Sequence, residues 1–119
     1  METVLVALRA MRPPFAPYEA DLHRMVARQL SENGLAFEHE ARLAPGCRID
    51  FLVGDVGIEI KKGRPRAATL AAQLKRYAAS ERVTSLIVLS AGSVPLPPQI
   101  AGKSVRLLSL SQLWGVSLP

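Results

Sequence analysis

The segment from Arg48 to Lys61, RIDFLVGDVGIEIK, constrains the fold most strongly, because its apolar residues alternate on both sides of a turn signal. Gly54 and Asp55 suit the two central positions of a type II′ turn, which favours glycine first. This turn predicts an antiparallel hairpin with the pairs Val53–Val56, Phe51–Ile58, Asp50–Glu59 and Arg48–Lys61. Because side chains alternate between the two faces of a strand, one face is expected to be apolar, formed by Ile49, Phe51, Val53, Val56, Ile58 and Ile60. The other face is expected to carry the four charged residues.

The predicted opposition of Asp50 and Glu59 is unusual, because like charges directly opposite each other destabilise a strand pair. Their Cβ atoms would lie about 4.5–5.5 Å apart, a spacing at which two carboxylates can share a hard cation such as Mg²⁺. The alternative is a solvated face on which Arg48 and Lys61 neutralise both acids. The hairpin alone leaves both interpretations open.

The remaining pattern predicts an α/β domain with a central mixed sheet flanked by helices. Residues 1–17 form an apolar stretch of ambiguous structure. A helix is expected from Tyr18 to Asn33, with Pro17 in its first turn and Gly34 as its stop. The other expected elements are strands at 35–43, 85–90 and 104–110, a helix at 66–80, and a short helix or cap around Trp114. The continuous apolar run SLIVLS, residues 85–90, predicts a strand buried on both faces.

Length and composition narrow the class of protein. A chain of 119 residues is the size of one domain, so residues 1–119 are expected to form a single unit. The formal charge of +5 and the pI near 10.0 favour polyanionic partners, nucleic acid first. A single cysteine, Cys47, excludes an internal disulfide. No apolar run is long enough to span a membrane and the N-terminus lacks the features of a signal peptide, so a cytoplasmic location is expected.

Three motifs together resemble those of a known enzyme family. Asp50, followed on the next strand by Glu59-Ile60-Lys61, resembles the motif of the PD-(D/E)XK nuclease superfamily. The order of predicted elements resembles the restriction-endonuclease-like αβββαβ core of that family, over about residues 18–90. QLKRY, residues 73–77, resembles the QxxxY motif of the RecB-like branch. Ile49 stands where many members have proline.

The resemblance implies a metal-dependent nuclease that hydrolyses DNA phosphodiester bonds with Mg²⁺ or Mn²⁺. By this resemblance, Asp50, Glu59, Glu19 and the Ile60 carbonyl would bind the metal, and Lys61 would orient water or neutralise developing charge. The expected nucleic-acid contacts are Gln73, Tyr77, Arg66, Arg64 and Lys62.

Acidic and histidine residues outside the motif have competing interpretations. Glu19 lies on the helix face expected to meet the sheet, where it is either a metal ligand or an acid favoured by the helix dipole. His23, on the same face, is either a ligand or a histidine at the edge of the core. Because side chains alternate along a strand, His39 is expected on the other face of the strand from Glu38 and Glu40. The three side chains then cannot converge on one metal, so we interpret them as structural.

Other functions compatible with the sequence are a Holliday-junction-resolvase-like enzyme and a non-catalytic, DNA-binding or structural subunit of a nuclease or repair complex. The first would be expected to form a homodimer. The preferred substrate and the oligomeric state stay open at this point.

Overall fold

The computed structural model describes residues 1–12, 18–63 and 65–110. Three sequence-based expectations lie outside the described residues: the role of Pro17 in starting a helix, the nucleic-acid contact assigned to Arg64 and the element around Trp114.

Within the described ranges the chain is an α/β structure with one mixed sheet, as predicted, and the structure shows six strands in that sheet. The helices are α1 (Glu2–Arg9), α2 (Glu19–Glu32) and α3 (Ala67–Ala78). The strands are β1 (Glu38–Ala44), β2 (Cys47–Val53), β3 (Val56–Lys61), β4 (Ser85–Ser90), β5 (Gln99–Ile100) and β6 (Lys103–Ser109). The sheet order is β1-β2-β3-β4-β6-β5, with β3, β4 and β6 parallel to one another and the other neighbours antiparallel. None of the described helices has the length and apolar character needed to cross a membrane.

Helices cover the sheet on both faces. α1 and α2 pack on one face, where Leu5, Leu22 and Val26 meet Phe51 and Ile58. On the other face α3 packs through Leu70, Leu74 and Tyr77, which meet Ile49, Leu86 and Val88. All six residues of β4 are buried, as its unbroken apolar run predicted.

The β2–β3 hairpin follows the predicted register only near its turn. The pairs Val53–Val56 and Phe51–Ile58 are confirmed. The predicted pairs Asp50–Glu59 and Arg48–Lys61 are not part of the ladder, which ends at Phe51–Ile58. Beyond that point side chains replace backbone partners: the Ile60 N–H donates to Asp50 Oδ2 at 2.7 Å, and the Asp50 N–H donates to Glu59 Oε1 at 3.3 Å.

The prediction that Ile49 shares a face with Phe51 is wrong. Ile49 packs in the α3 layer, where its Cδ1 lies only 2.5 Å from the position that a Cβ on Gly57 would occupy. Strict alternation fails at Asp50, beyond the last pair of the β2–β3 ladder.

The neighbouring strand β1 changes faces at the same level. His39 pairs with Phe51 and lies against its ring, whereas Ala41 pairs with Ile49 and packs toward α3. Between them, Glu40 has a φ of 52°, in the left-handed region. The irregularity therefore crosses two adjacent strands, and it lies beside the predicted acidic pair.

Candidate functional site

Asp50, Glu59 and Lys61 converge where β2 and β3 diverge. Glu59 is 5% exposed, whereas Asp50 and Lys61 are partly buried. Lys61 Nζ lies 3.3 Å from Glu59 Oε2, and each carboxylate accepts a backbone N–H from the other strand: Glu59 from Asp50, and Asp50 from Ile60. Arg48, which the sequence also offered as a neutralising cation, has an exposed side chain. Its contribution to the described site is its carbonyl oxygen, which accepts a hydrogen bond from Tyr77 Oη at 3.1 Å.

Helix α3 contacts Glu59 through the side chain of Gln73. Gln73 Nε2 lies 3.1 Å from Glu59 Oε2 and 2.8 Å from Tyr77 Oη, so it bridges the two. Residues four apart lie on the same side of a helix, which allows Gln73 and Tyr77 to act together. Tyr77 is 3% exposed, and its hydroxyl lies within hydrogen-bond distance of Gln73 Nε2 and the Arg48 carbonyl. Its sequence-based assignment as a nucleic-acid contact stays a prediction.

The electrostatics of the site are dominated by Glu59. Burial and, next, repulsion from Asp50 raise the pKa of Glu59 to about 7, although Lys61 acts in the opposite direction. Burial, followed by the nearby charge of Glu59, also raises the pKa of Tyr77, which keeps the phenol neutral and able to donate. The two acids are thus close together without full compensation by the protein, and either a proton or a cation would relieve the repulsion.

Two histidines lie on the α2 side of Asp50. His23 Nε2 is 3.9 Å from Asp50 Oδ2, and His23 Nδ1 is 2.8 Å from His39 Nε2. Both rings also contact Phe51. Strict alternation did not indicate that His39 would lie near Asp50; in the structure His39 pairs with Phe51 and contacts His23, which lies beside Asp50. No local sequence signal would have identified it.

The other predicted residues differ in how closely they approach the acidic pair. Glu19 is exposed and lines an open groove with His23 and His39. Ile60 contributes its N–H to Asp50. Lys62 and Arg66 are exposed, and Arg66 is the N-cap residue of α3.

The donor set fits a divalent cation held by two carboxylates. Mg²⁺ is commonly bound by one or two carboxylates and completed by water or phosphate oxygens, and Asp50 and Glu59 provide such a pair. In the part of the chain that the structure describes, no group of three or more His, Cys, Asp or Glu side chains is arranged to hold a metal. The assignment of Glu19 as a further ligand stays a prediction.

Ser90 is a further polar residue next to the site, and the sequence pattern predicted it only as part of a buried strand. It pairs with Lys61 in the parallel β3–β4 ladder and is fully buried. Its Oγ has no hydrogen-bond partner among the described residues. A buried hydroxyl of this kind costs free energy, and its position at the end of the apolar run SLIVLS was the available sequence signal.

Comparisons of the chain with models of protein families, with curated proteins and with solved structures found no match. The functional argument therefore depends on the geometry and chemistry of the site.

Proposed function

We propose that the chain is a metal-dependent nuclease of the PD-(D/E)XK type, with a restriction-endonuclease-like core, and that it hydrolyses DNA phosphodiester bonds. The observation that carries the proposal is the convergence of Asp50, buried Glu59 and Lys61 at the point where the hairpin opens. A purely structural hairpin would gain nothing from burying one acid beside another, because repulsion and desolvation both oppose it. A cation bound between Asp50 and Glu59 would relieve this repulsion, so the same pair of acids would favour metal binding.

In this mechanism Asp50 and Glu59 would hold Mg²⁺ or Mn²⁺, with the Ile60 carbonyl as the further ligand that the family resemblance implies. When bound, such a metal lowers the pKa of a coordinated water and stabilises charge on the reacting phosphate. Lys61, on the same strand as Glu59, orients the attacking water or neutralises charge that develops in the transition state. Gln73 and Tyr77 keep the Glu59 carboxylate in place, which pre-organises the site.

The basic residues near the site would act on the backbone of the substrate. Lys62 directly follows Lys61, and Arg66 is the N-cap residue of α3; both are exposed. Contacts from such side chains to phosphates position a nucleic acid without selecting its sequence. The net positive charge of the chain supports the same type of partner.

The test is cleavage of labelled single-stranded, duplex, flap and four-way-junction DNAs with Mg²⁺, Mn²⁺ or EDTA. We expect wild-type protein to cut with metal, and Lys61→Ala and Asp50→Asn to lose cutting. The matched control is Asp55→Asn, because Asp55 is an exposed carboxylate in the turn at the other end of the hairpin. That variant should cut like wild type.

The variants also separate the roles of the two residues. Asp50→Asn should lose metal binding measured by calorimetry, whereas Lys61→Ala should keep it. If purified wild type binds Mn²⁺ and DNA but cuts none of the substrates, the hydrolytic proposal fails and a non-catalytic DNA-binding subunit becomes the better description. Preference for the four-way junction, together with a homodimer in solution, would identify a resolvase-like enzyme.

A further inference from the structure

Tyr18 is an aromatic side chain that is exposed to solvent and lies beside a lysine ammonium. It is 73% exposed, and among the described residues Tyr18 and Val6 are the large hydrophobic side chains left exposed. The ammonium of Lys62 lies over the Tyr18 ring, 5.4 Å from its centroid. A cation in this position is attracted by the ring electrons, so Tyr18 and Lys62 form a pair of one aromatic face and one positive charge.

The Tyr18–Lys62 pair is close to the candidate site along two different elements. Tyr18 is the N-cap residue of α2, and its carbonyl accepts a hydrogen bond from the Leu22 N–H at 3.1 Å. Five residues further, His23 reaches Asp50; at 1.5 Å of rise per residue this is about 8 Å along the helix. Lys62 is the residue after Lys61 at the end of β3. The pair therefore lies near the C-terminal end of β3, the end at which Glu59 and Lys61 are located.

The chemistry of this pair matches one class of ligand. An exposed aromatic face stacks a nucleobase, and an adjacent ammonium contacts the phosphate of the same strand. Bases inside a duplex already stack on their neighbours, so a protein ring is available only to a base that is unpaired. The exposed carboxylate of Glu19, next to Tyr18, would repel phosphate, which places the phosphate contact on the Lys62 side of the ring.

We propose that Tyr18 and Lys62 form a binding site for an unpaired nucleotide adjacent to the cleavage centre, so that the substrate is single-stranded DNA or an unpaired end. This inference rests on the proposed nuclease function, because the same strand must pass both Tyr18 and Asp50. It assigns different tasks to the two residues: Tyr18 selects an unpaired base, and Lys62 contributes charge without regard to pairing.

The binding experiment is done in EDTA, so that cleavage does not interfere. Dissociation constants for a short fluorescent oligothymidylate and for a duplex are measured with wild type, Tyr18→Ala, Tyr18→Phe and Lys62→Ala. Stacking contributes about 1–3 kcal/mol per base, so Tyr18→Ala should bind the oligothymidylate about 5- to 150-fold more weakly. Tyr18→Phe keeps the ring and should stay close to wild type. Tyr18→Ala should leave duplex binding unchanged, whereas Lys62→Ala should weaken both and reduce the salt dependence.

A second measurement tests the stacking contact itself. One base of the oligothymidylate is replaced by an abasic site, and the position of the replacement is moved along the strand. At one position the replacement should weaken binding to wild type but have little effect on Tyr18→Ala, because the contact is already absent from that variant. The proposal is overturned if wild type does not bind the oligothymidylate, if Tyr18→Ala binds it as well as wild type, or if no position shows this coupling.

Failure of this inference is distinguishable from failure of the proposed function. Metal-dependent cutting that is insensitive to Tyr18→Ala on every substrate, with unchanged binding, would reject the nucleotide site and keep the nuclease. Tyr18-dependent binding by a wild-type protein that never cuts would reject the nuclease and support the nucleotide site. Because Tyr18 is exposed, its replacement is expected to leave the fold intact, and circular dichroism checks this.

Discussion

Glu59 should make the metal-free protein less stable as the pH rises. Its pKa in the folded protein is raised from 4.5 to about 7 by burial and by Asp50. Between these two values the folded state binds a proton that the unfolded state has released, so the free energy of unfolding falls with increasing pH. The extra stability is fully present below about pH 4.5 and is lost by the time the pH has passed about 7.

The magnitude follows from the size of the pKa change. Each pKa unit corresponds to about 1.4 kcal/mol, so the contribution of Glu59 should change by about 3 kcal/mol across this range. Glu59→Gln removes the titration but keeps the shape of the side chain. The substitution also alters the hydrogen bonds with Gln73 and Asp50, but that cost is independent of pH. The informative quantity is therefore the difference between the two proteins in how steeply the free energy of unfolding changes with pH.

The assay is urea unfolding followed by far-ultraviolet circular dichroism, in EDTA, from about pH 4.5 to about pH 8. Wild-type stability minus Glu59→Gln stability should fall by about 3 kcal/mol over this range. The matched control Asp55→Asn removes an exposed carboxylate and should show a nearly constant difference from wild type. Equal slopes for wild type and Glu59→Gln would refute the argument, because they would mean that Glu59 is ionised without penalty.

Adding Mg²⁺ at about pH 8 extends the same test. A cation that binds the folded state stabilises it according to its concentration and dissociation constant. Mg²⁺ should therefore restore stability to wild type but not to Glu59→Gln. A stabilisation of both proteins to the same extent would place the bound cation elsewhere.

Three further predictions concern the framework of the site. Gly57→Ala should destabilise the protein by about 1–3 kcal/mol through overpacking, because its new Cβ would meet Ile49 Cδ1. Ile49→Val removes that atom. In denaturant unfolding, the double variant should therefore lose less stability than the sum of the two single variants. Tyr77→Phe should cost about 1–3 kcal/mol, because it removes a partly buried hydrogen bond and leaves the Arg48 carbonyl without that donor; unchanged stability would contradict that role. Phe51→Ala should cost about 3–5 kcal/mol, because this side chain is fully buried; a negligible loss by thermal or urea unfolding would contradict its place in the core.

The elements of the fold that depend on local pattern were predictable from the sequence. Gly54-Asp55 fixed the turn, and with it the pairs Val53–Val56 and Phe51–Ile58. The unbroken apolar run at Ser85–Ser90 indicated a strand buried on both sides, which the structure confirms. Helical spacing located α2 and α3, because apolar residues that recur with the helical period must face the sheet.

The candidate site was predictable in its composition but not in its arrangement. Alternation alone placed Asp50 opposite Glu59 in a continuous ladder and put Ile49 beside Phe51. In the structure the carboxylates accept backbone N–H groups, which ends the ladder and turns Ile49 to the other face. A period-two pattern assumes unbroken backbone pairing, so it cannot anticipate a point at which side chains take over the pairing.

The sequence by itself thus determined which acids, lysine and glutamine are available and roughly where the strands and helices lie, because these follow from neighbouring residues. The tertiary structure decided that Gln73 supports Glu59, that His39 approaches His23, and that Ser90 lies buried beside Lys61. It also decided that Tyr18 stays exposed with Lys62 over its ring. These contacts join residues far apart in the chain, and their geometry depends on the packing of helices on both faces of the sheet.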